Sequence, residues 1–197
     1  MRPRRRSPLT LSRTLGPLVG IAAAAVMVVG SSDAAFTANT SNQSNTYSAA
    51  TVSLVDDDSG SALMQLSNLV PGDSATKCIT VNYTGSTFDL TPVKLYAALA
   101  SEVDGFASHV DMTISVGTGG SYSDCTGFTE TSQLYSGTLS NLAATNSSFA
   151  TGITGYTPAS GSTSRTYKFV ATLGSDTPDT AQGDSVTANF TWEVQSA

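Results

Sequence analysis

The sequence predicts an all-β fold, a two-sheet antiparallel jelly roll or β-sandwich, preceded by an N-terminal signal helix. Ser, Thr, Gly, Ala and Asn are abundant, whereas the long helix-forming residues Lys, Glu and Arg are few. The apolar residues come in short runs of strand length and never follow a sustained 3.6-residue period. This composition and this spacing of apolar residues are typical of short strands joined by turns, as in sandwiches and jelly rolls.

The first residues have the order of charge and hydropathy that an export signal needs. Five arginines lie between residues 2 and 13, residues 15–29 are apolar, and Ser32 and Ala34 supply small side chains before a cut. The apolar run of ~15 residues is shorter than the ~20 that a membrane-spanning helix requires. We therefore predict secretion, cleavage by a signal peptidase between Ala34 and Ala35, and no stable membrane anchor afterwards.

Cleavage makes the chain strongly acidic. The whole sequence has 9 basic and 15 acidic residues, and loss of five arginines and Asp33 leaves four and fourteen, a net charge of about −10. A nucleic-acid-binding protein needs clustered Lys and Arg to displace counterions from phosphates, and an anionic membrane surface repels an acidic chain. We expect no nucleic acid and no membrane as a partner.

Cys78 and Cys125 are the only cysteines, and both lie in the predicted mature part. In an oxidising exterior such a pair typically forms one disulfide. Closing a loop of ~48 residues stabilises a fold by roughly 4 kcal/mol in the chain-entropy model. Two free thiols in a metal site are the alternative, although no histidines accompany them. Because Ile79 and Val81 share one face of a predicted strand, Cys78 points to the other, and the disulfide should pin a loop across the exterior of the sheet.

The alternation of apolar residues predicts the elements in order along the chain. Strands are indicated at residues 51–55, 77–83, 93–99, 110–116, 167–173 and 186–194. Turns or loops are indicated at residues 56–60, 71–73, 117–127, 146–164 and 176–183. Residues 62–69 fit a strand or a helical turn, and residues 133–142 indicate a short strand, a turn at Gly137 and a further apolar pair. We divide the chain into a signal peptide at residues 1–34, an extended segment at 35–50 and one β-sandwich domain at 51–197.

The residues that could carry chemistry form no catalytic constellation. His109 is the only histidine, whereas zinc hydrolases draw on two or three, and no serine lies in a Gly-x-Ser-x-Gly setting. We interpret His109 as an exposed residue at a strand edge. The sequence therefore predicts no enzyme activity, no cofactor and no catalytic or metal-binding residue.

Two acidic stretches contain the carboxylates that Ca²⁺ prefers as ligands. They lie at residues 56–58 and at Asp176, Asp179 and Asp184. The spacing of the first stretch does not match an EF-hand loop, because no carboxylate stands at the closing position. We interpret both stretches as solvated turns.

Several short motifs occur in a recognisable order. They are Ala-Ala-Phe-Thr-Ala at 34–38, Asn-Thr-Tyr-Ser-Ala-Ala-Thr-Val-Ser-Leu at 45–54, Leu-Ser-Asn-Leu-Val-Pro-Gly-Asp at 66–73, Ile-Thr-Val-Asn-Tyr-Thr-Gly-Ser at 79–86, Tyr-Lys-Phe at 167–169 and Ala-Asn-Phe-Thr-Trp-Glu at 188–193. Together they resemble the TasA/camelysin family of secreted bacterial proteins with SipW-type signal peptides. The last two are similar to the actinobacterial branch, whose members often carry two cysteines. Ala50 departs from the pattern, since the family commonly has glycine there.

The resemblance implies a jelly roll, a dedicated signal peptidase and extracellular fibres in a biofilm matrix. In fibre-forming relatives, the N-terminal segment of one subunit adds as a strand to the next. Residues 35–48 carry no charge and could serve as such a donor strand, with Phe36 and Tyr47 as candidate assembly residues; a disordered tail is the alternative. We predict a secreted structural protein of the matrix or cell surface that associates with itself or with sibling matrix proteins.

Two other functions stay open at this point. One is a monomeric surface-binding module, for example for glycans, that uses aromatic side chains such as Tyr122, Phe128, Tyr135 or Tyr156. The other is a camelysin-like secreted metallopeptidase, which the family name suggests but which a single histidine supports poorly.

Overall fold

Nine strands form two antiparallel sheets in the part of the chain that the computed structural model describes, which is residues 37–41, 52–64, 69–85, 90–159 and 161–195. The predicted signal helix, the cleavage site at Ala34 and Ala35, and both Phe36 and Tyr47 lie outside these residues. The strands are β1 Thr37–Ser41, β2 Val52–Asp56, β3 Ser74–Gly85, β4 Lys94–Glu102, β5 Val110–Thr118, β6 Thr129–Thr138, β7 Ile153–Thr154, β8 Gly161–Leu173 and β9 Val186–Gln195. One α-helix, α1 (Leu139–Thr145), and two short 3₁₀ helices, Phe106–His109 and Asp179–Ala181, complete the described elements.

The strand order is that of a jelly roll. One sheet has the order β1-β9-β4-β7 and the other the order β2-β3-β8-β5-β6, and every neighbouring pair is antiparallel. Successive parts of the chain alternate between the sheets, and β2 is an additional edge strand beside β3. The predicted all-β, two-sheet fold is confirmed.

One apolar core lies between the two sheets. Its largest fully buried side chains are those of Trp192, Tyr83, Tyr167, Phe169, Ile79, Leu95 and Ile114. The Trp192 ring, from one sheet, lies edge-on to Tyr167 and Phe169 from the other, with ring centroids 5.5 and 6.1 Å apart. The alternating apolar residues of β3, β8 and β9 therefore lie on the inner faces of the sheets, as their spacing predicts, and contact one another across the core.

Residues 133–142 do not follow the prediction. Gly137 lies inside β6, in register with Met112 of β5, and not in a turn. The apolar residues that follow begin α1, whose first turn is capped where Asn141 N donates to the Thr138 hydroxyl oxygen at 3.2 Å. Leu139 and Leu142 are buried on one side of this helix. A helix of seven residues is too short to show a repeated 3.6-residue period, so the sequence indicated only an apolar pair after a turn.

Gly155 leaves room for a buried hydroxyl group. A Cβ atom at this position would collide with the Tyr167 hydroxyl oxygen and would lie 3.2 Å from both Tyr167 Cζ and the carbonyl oxygen of Val93. Tyr167 is fully buried, and its hydroxyl has no hydrogen-bond partner among the described residues. Burial raises the pKa of Tyr167 above its ordinary value, so this side chain stays neutral inside the core.

The first prediction concerns this contact. Gly155→Ala should lower the free energy of unfolding by about 1–3 kcal/mol, because the rigid Tyr167 ring cannot move away from an added methyl group. Tyr167→Phe should be neutral or slightly stabilising, since it removes a buried donor that has no partner. The double variant should recover most of the loss, which urea unfolding of all four proteins measures as a coupling energy. Additive effects would show that the two groups do not collide.

Candidate assembly interface

The first described strand closes one edge of the four-stranded sheet. Among the described strands, β1 pairs with β9 only, antiparallel, over five register positions from Thr37 opposite Gln195 to Ser41 opposite Thr191. The partner positions on β9 include Trp192 and Val194, which are buried in the core. If β1 left, the backbone groups on this edge of a core strand would be unpaired. The edge therefore needs a strand, whichever chain supplies it.

β9 itself is held firmly on its other side. It pairs with β4 from Lys94 opposite Glu193 to Glu102 opposite Val186, with one register shift between Leu99 and Ser101. At its end, Thr91 N donates to the carbonyl oxygen of Gln195 at 2.9 Å, and Gln195 N donates to the Thr91 hydroxyl oxygen at 3.0 Å. The acceptor strand is thus fixed by contacts that do not involve β1.

Glu193 is a buried carboxylate beside the β1 edge. It is only 6% exposed, and both of its oxygens accept hydrogen bonds, from the Tyr96 hydroxyl at 2.8 Å and from Gln195 Nε2 at 2.7 Å. Burial, together with the hydrogen bond and the negative charge of Glu193, raises the pKa of Tyr96 to about 12. Tyr96 consequently keeps its proton at neutral pH, and its hydroxyl donates a hydrogen bond to Glu193 Oε2.

A second feature lies on the outer face of the five-stranded sheet. Residues 119–128, here called the strap, connect β5 to β6, but they cross β8 and reach β3. Cys125 of the strap forms a disulfide with Cys78 of β3, with the two Cα atoms 5.2 Å apart. Cys78 is on the face opposite the core, and it is nonetheless fully buried because the strap covers it.

The acidic turn after β2 has a structural role that the sequence did not indicate. Asp57 accepts hydrogen bonds from Thr80 N and from Tyr122 N, each at 2.7 Å, and so joins β3 to the strap. Asp58 is 3% exposed and accepts from Gly60 N at 2.6 Å. The interpretation of residues 56–58 as a solvated turn was therefore wrong. Asp176 and Asp179 are exposed, and Asp184 is half-buried.

The four aromatic side chains considered for glycan binding serve as anchors within the domain. Tyr122 donates its hydroxyl to the carbonyl oxygen of Ala62 at 2.8 Å, and Tyr135 donates to that of Thr138 at 2.8 Å. Phe128 has Lys168 Nζ 5.0 Å from its ring centroid. Tyr156 has Arg165 Cζ 5.4 Å from its ring centroid, and burial raises its pKa to about 12. All four side chains are half-buried and have partners within the domain.

His109 ends the 3₁₀ helix Phe106–His109 and is half-buried, so the expected strand-edge position is corrected to the start of β5. Its carbonyl oxygen accepts from Gly174 N at 2.8 Å. Over the described ranges, no three His, Cys, Asp or Glu side chains lie close enough together to hold a metal ion. Within the same ranges, no helix is long and apolar enough to cross a bilayer.

Comparison with known families identifies the chain. The camelysin metallo-endopeptidase family matches residues 10–148, which is 139 of its 197 residues. The chain belongs to this family. The match includes β1 to β6 and both cysteines, that is, the first strand of the candidate interface and the whole strap. A search of curated proteins found no match.

The name of the camelysin family implies a catalytic metal, and the described residues do not fit one. Zinc in a peptidase is normally bound by two or three His ligands with a carboxylate. Here the one histidine lies without a cluster of further ligands in the described part of the chain. We derive no metal-dependent step for this protein.

Sequence reasoning missed several residues of these two regions. Asp57, Thr91 and Glu193 act through contacts with residues far away in the sequence, and no local pattern marks such contacts. A signal existed for Glu193 alone, since it lies between the core residues Trp192 and Val194 on a buried strand. An acid inside such a strand needs nearby donors.

Proposed function

We propose that this camelysin-family protein is a secreted structural component of the extracellular matrix or cell surface, and that its copies join by exchange of β1. In the proposed assembly, β1 of one copy leaves β9 of its own chain and pairs in the same register with β9 of a neighbour. Sibling matrix proteins with a similar first strand are further partners. The disulfide and the family support an extracellular location.

The observation that carries the proposal is the position of β1 at the edge of its sheet. Among the described strands, β1 pairs with β9 alone, whereas β9 is independently fixed by β4 and Thr91. When identical copies exchange β1, every backbone hydrogen bond between β1 and β9 is made again between the copies, so the exchange costs little enthalpy. The surrounding residues 35–50 carry no charge, and such a segment can be transferred to a neighbour without burying an ion.

A covalent lock on β1 provides the second prediction. Cysteines at the register pair Ser41 and Thr191 can form a disulfide across the ladder, because opposite Cβ atoms in antiparallel strands are ~4.5–5.5 Å apart. The oxidised Ser41→Cys/Thr191→Cys protein should stay monomeric, whereas the secreted wild-type protein should form fibres. Sedimentation and negative-stain electron microscopy measure both, and peptide mapping verifies that Cys78 and Cys125 remain paired.

A matched lock on the other sheet controls for the added cysteines. Ser53→Cys/Thr84→Cys joins β2 to β3 at their own register pair and should leave fibre formation unchanged. A variant that lacks residues 35–48 should not assemble. Fibres of normal yield from the β1-locked protein would defeat strand exchange, and a wild-type protein that never assembles would defeat the structural role.

The third prediction concerns the peptidase activity that the family name suggests. We propose that the chain has none, because His109 lacks partner ligands in the described residues. Purified protein should not cleave casein with or without added zinc, and chelator should change nothing. Proteolysis that chelator abolishes, and that His109→Ala also abolishes, would overturn this part of the proposal.

A further inference from the structure

Within the described part of the chain, the outer edge of β3 is only partly covered by a strand. β3 has twelve residues, and β2 pairs with its second half alone, from Val81 to Gly85. Next to this ladder, Asp57 N donates to the carbonyl oxygen of Thr80 at 3.1 Å, and Thr80 N donates to Asp57 Oδ1 at 2.7 Å. Beyond it, Ser123 N of the strap donates to the carbonyl oxygen of Cys78 at 2.8 Å. A side chain and a loop thus satisfy backbone groups that another strand would satisfy in a complete sheet.

The strap reaches this edge from the far side of the sheet. Its tip, where Ser121 and Asp124 pair through two backbone hydrogen bonds of 2.8 and 3.0 Å, carries Tyr122 and Ser123. Tyr122 binds Asp57 through its backbone N–H and Ala62 through its hydroxyl. Besides these hydrogen bonds, the disulfide joins the strap to β3. It binds the strap to Cys78, the residue whose carbonyl oxygen accepts the hydrogen bond from Ser123 N.

We propose that the strap is a redox-controlled cover on the β3 edge and that the Cys78–Cys125 disulfide is its lock. In the oxidised protein the strap covers the backbone carbonyl of Cys78. In the reduced protein the strap opens while the core stays folded, and this part of the β3 edge is exposed to solvent. This regulation acts on the five-stranded sheet and does not depend on exchange of β1.

The position of the two sulfur atoms favours reduction from the strap side. Cys78 is fully buried, whereas Cys125 is half-buried, so a small dithiol reaches Cys125 Sγ first. One thiolate of the dithiol attacks Cys125 Sγ and the Sγ–Sγ bond breaks. Cys78 leaves as a thiolate that takes a proton from water. The second thiol of the reductant then displaces Cys125, so the protein gains two electrons and two protons, and the reductant becomes a cyclic disulfide.

Hydrogen exchange on the whole secreted protein tests the proposal. The oxidised protein and the protein reduced with dithiothreitol are compared by mass spectrometry. On reduction, amides of the strap and of Cys78 should exchange at least tenfold faster, while those of β4 and β9 should stay protected by the free energy of unfolding that remains. Limited proteolysis should at the same time begin to cut after Tyr122.

Single-anchor variants distinguish the lock from a general loss of stability. Tyr122→Phe, which removes the bond to Ala62, should change strap exchange less than twofold in the oxidised protein and accelerate it further in the reduced one. Tyr96→Phe, on the other sheet, should leave the strap unaffected in both states. Unchanged strap exchange after reduction would overturn the proposal. So would loss of protection in β4 and β9 together with the strap, since the disulfide would then hold the whole fold and not the strap.

Discussion

Trp192→Ala is expected to lower the free energy of unfolding by about 4 kcal/mol, within the ~3–5 kcal/mol range for a buried aromatic residue replaced by alanine. Trp192 is 1% exposed and lies edge-on to Tyr167 and Phe169, so its loss leaves a cavity where the sheets meet. Its indole N–H has no partner among the described residues, and the loss is therefore one of packing only. Urea unfolding followed by circular dichroism measures the change.

An exposed residue provides the control for this variant. Val103 is 45% exposed, and Val103→Ala should change the free energy of unfolding by less than about 0.5 kcal/mol. Since Trp192 is opposite Thr40 of β1, Trp192→Ala should also weaken assembly. A loss of stability below about 1.5 kcal/mol would contradict the central position of Trp192 in the core.

Cys78→Ala/Cys125→Ala is expected to cost about 4 kcal/mol as well, for a different reason. The two cysteines are separated by 47 residues, and a loop of this length removes about 4 kcal/mol of chain entropy from the unfolded state. The unfolded state of the variant is therefore more expanded, and the slope of stability against urea concentration should rise. Trp192→Ala should leave that slope unchanged, because it acts on the folded state.

Reduced wild-type protein is the matched comparison, because it keeps both side chains and lacks only the bond. Equal losses for the reduced protein and the double variant would assign the effect to chain closure. A large loss for the variant with no loss on reduction would assign it to the space that buried Cys78 fills.

The long strands were predictable because their own side chains encode them. In β3, β8 and β9 apolar residues alternate, and one face of each strand is buried as the alternation indicates. The face assigned to Cys78 was correct for the same reason, since a strand must place neighbouring residues on opposite sides. Gly137 and α1 were not predictable from this signal, because seven helical residues after a strand show no period of their own.

The candidate interface was only partly predictable. The uncharged composition of residues 35–48 indicated a segment suited to pairing, and within it Thr37–Ser41 is a strand. Its partner β9 is far away in the sequence, and no local feature of Thr191 or Gln195 points to it. The same holds for Asp57, whose neighbours Thr80 and Tyr122 come together only when the strap crosses the sheet. Contacts of this kind join residues that are far apart in the sequence, so they follow from the strand topology and not from any local pattern.

The pairing of β1 with β9 also sets the time at which the molecule can become complete. β1 is the earliest described strand and β9 the latest, so a chain that crosses a membrane from its N-terminal end displays β1 before its partner has emerged. During that interval β1 has no partner strand within its own chain. The four-stranded sheet can therefore close only after its last strand has formed, and the ladder between β1 and β9 joins the two most distant described strands of the chain.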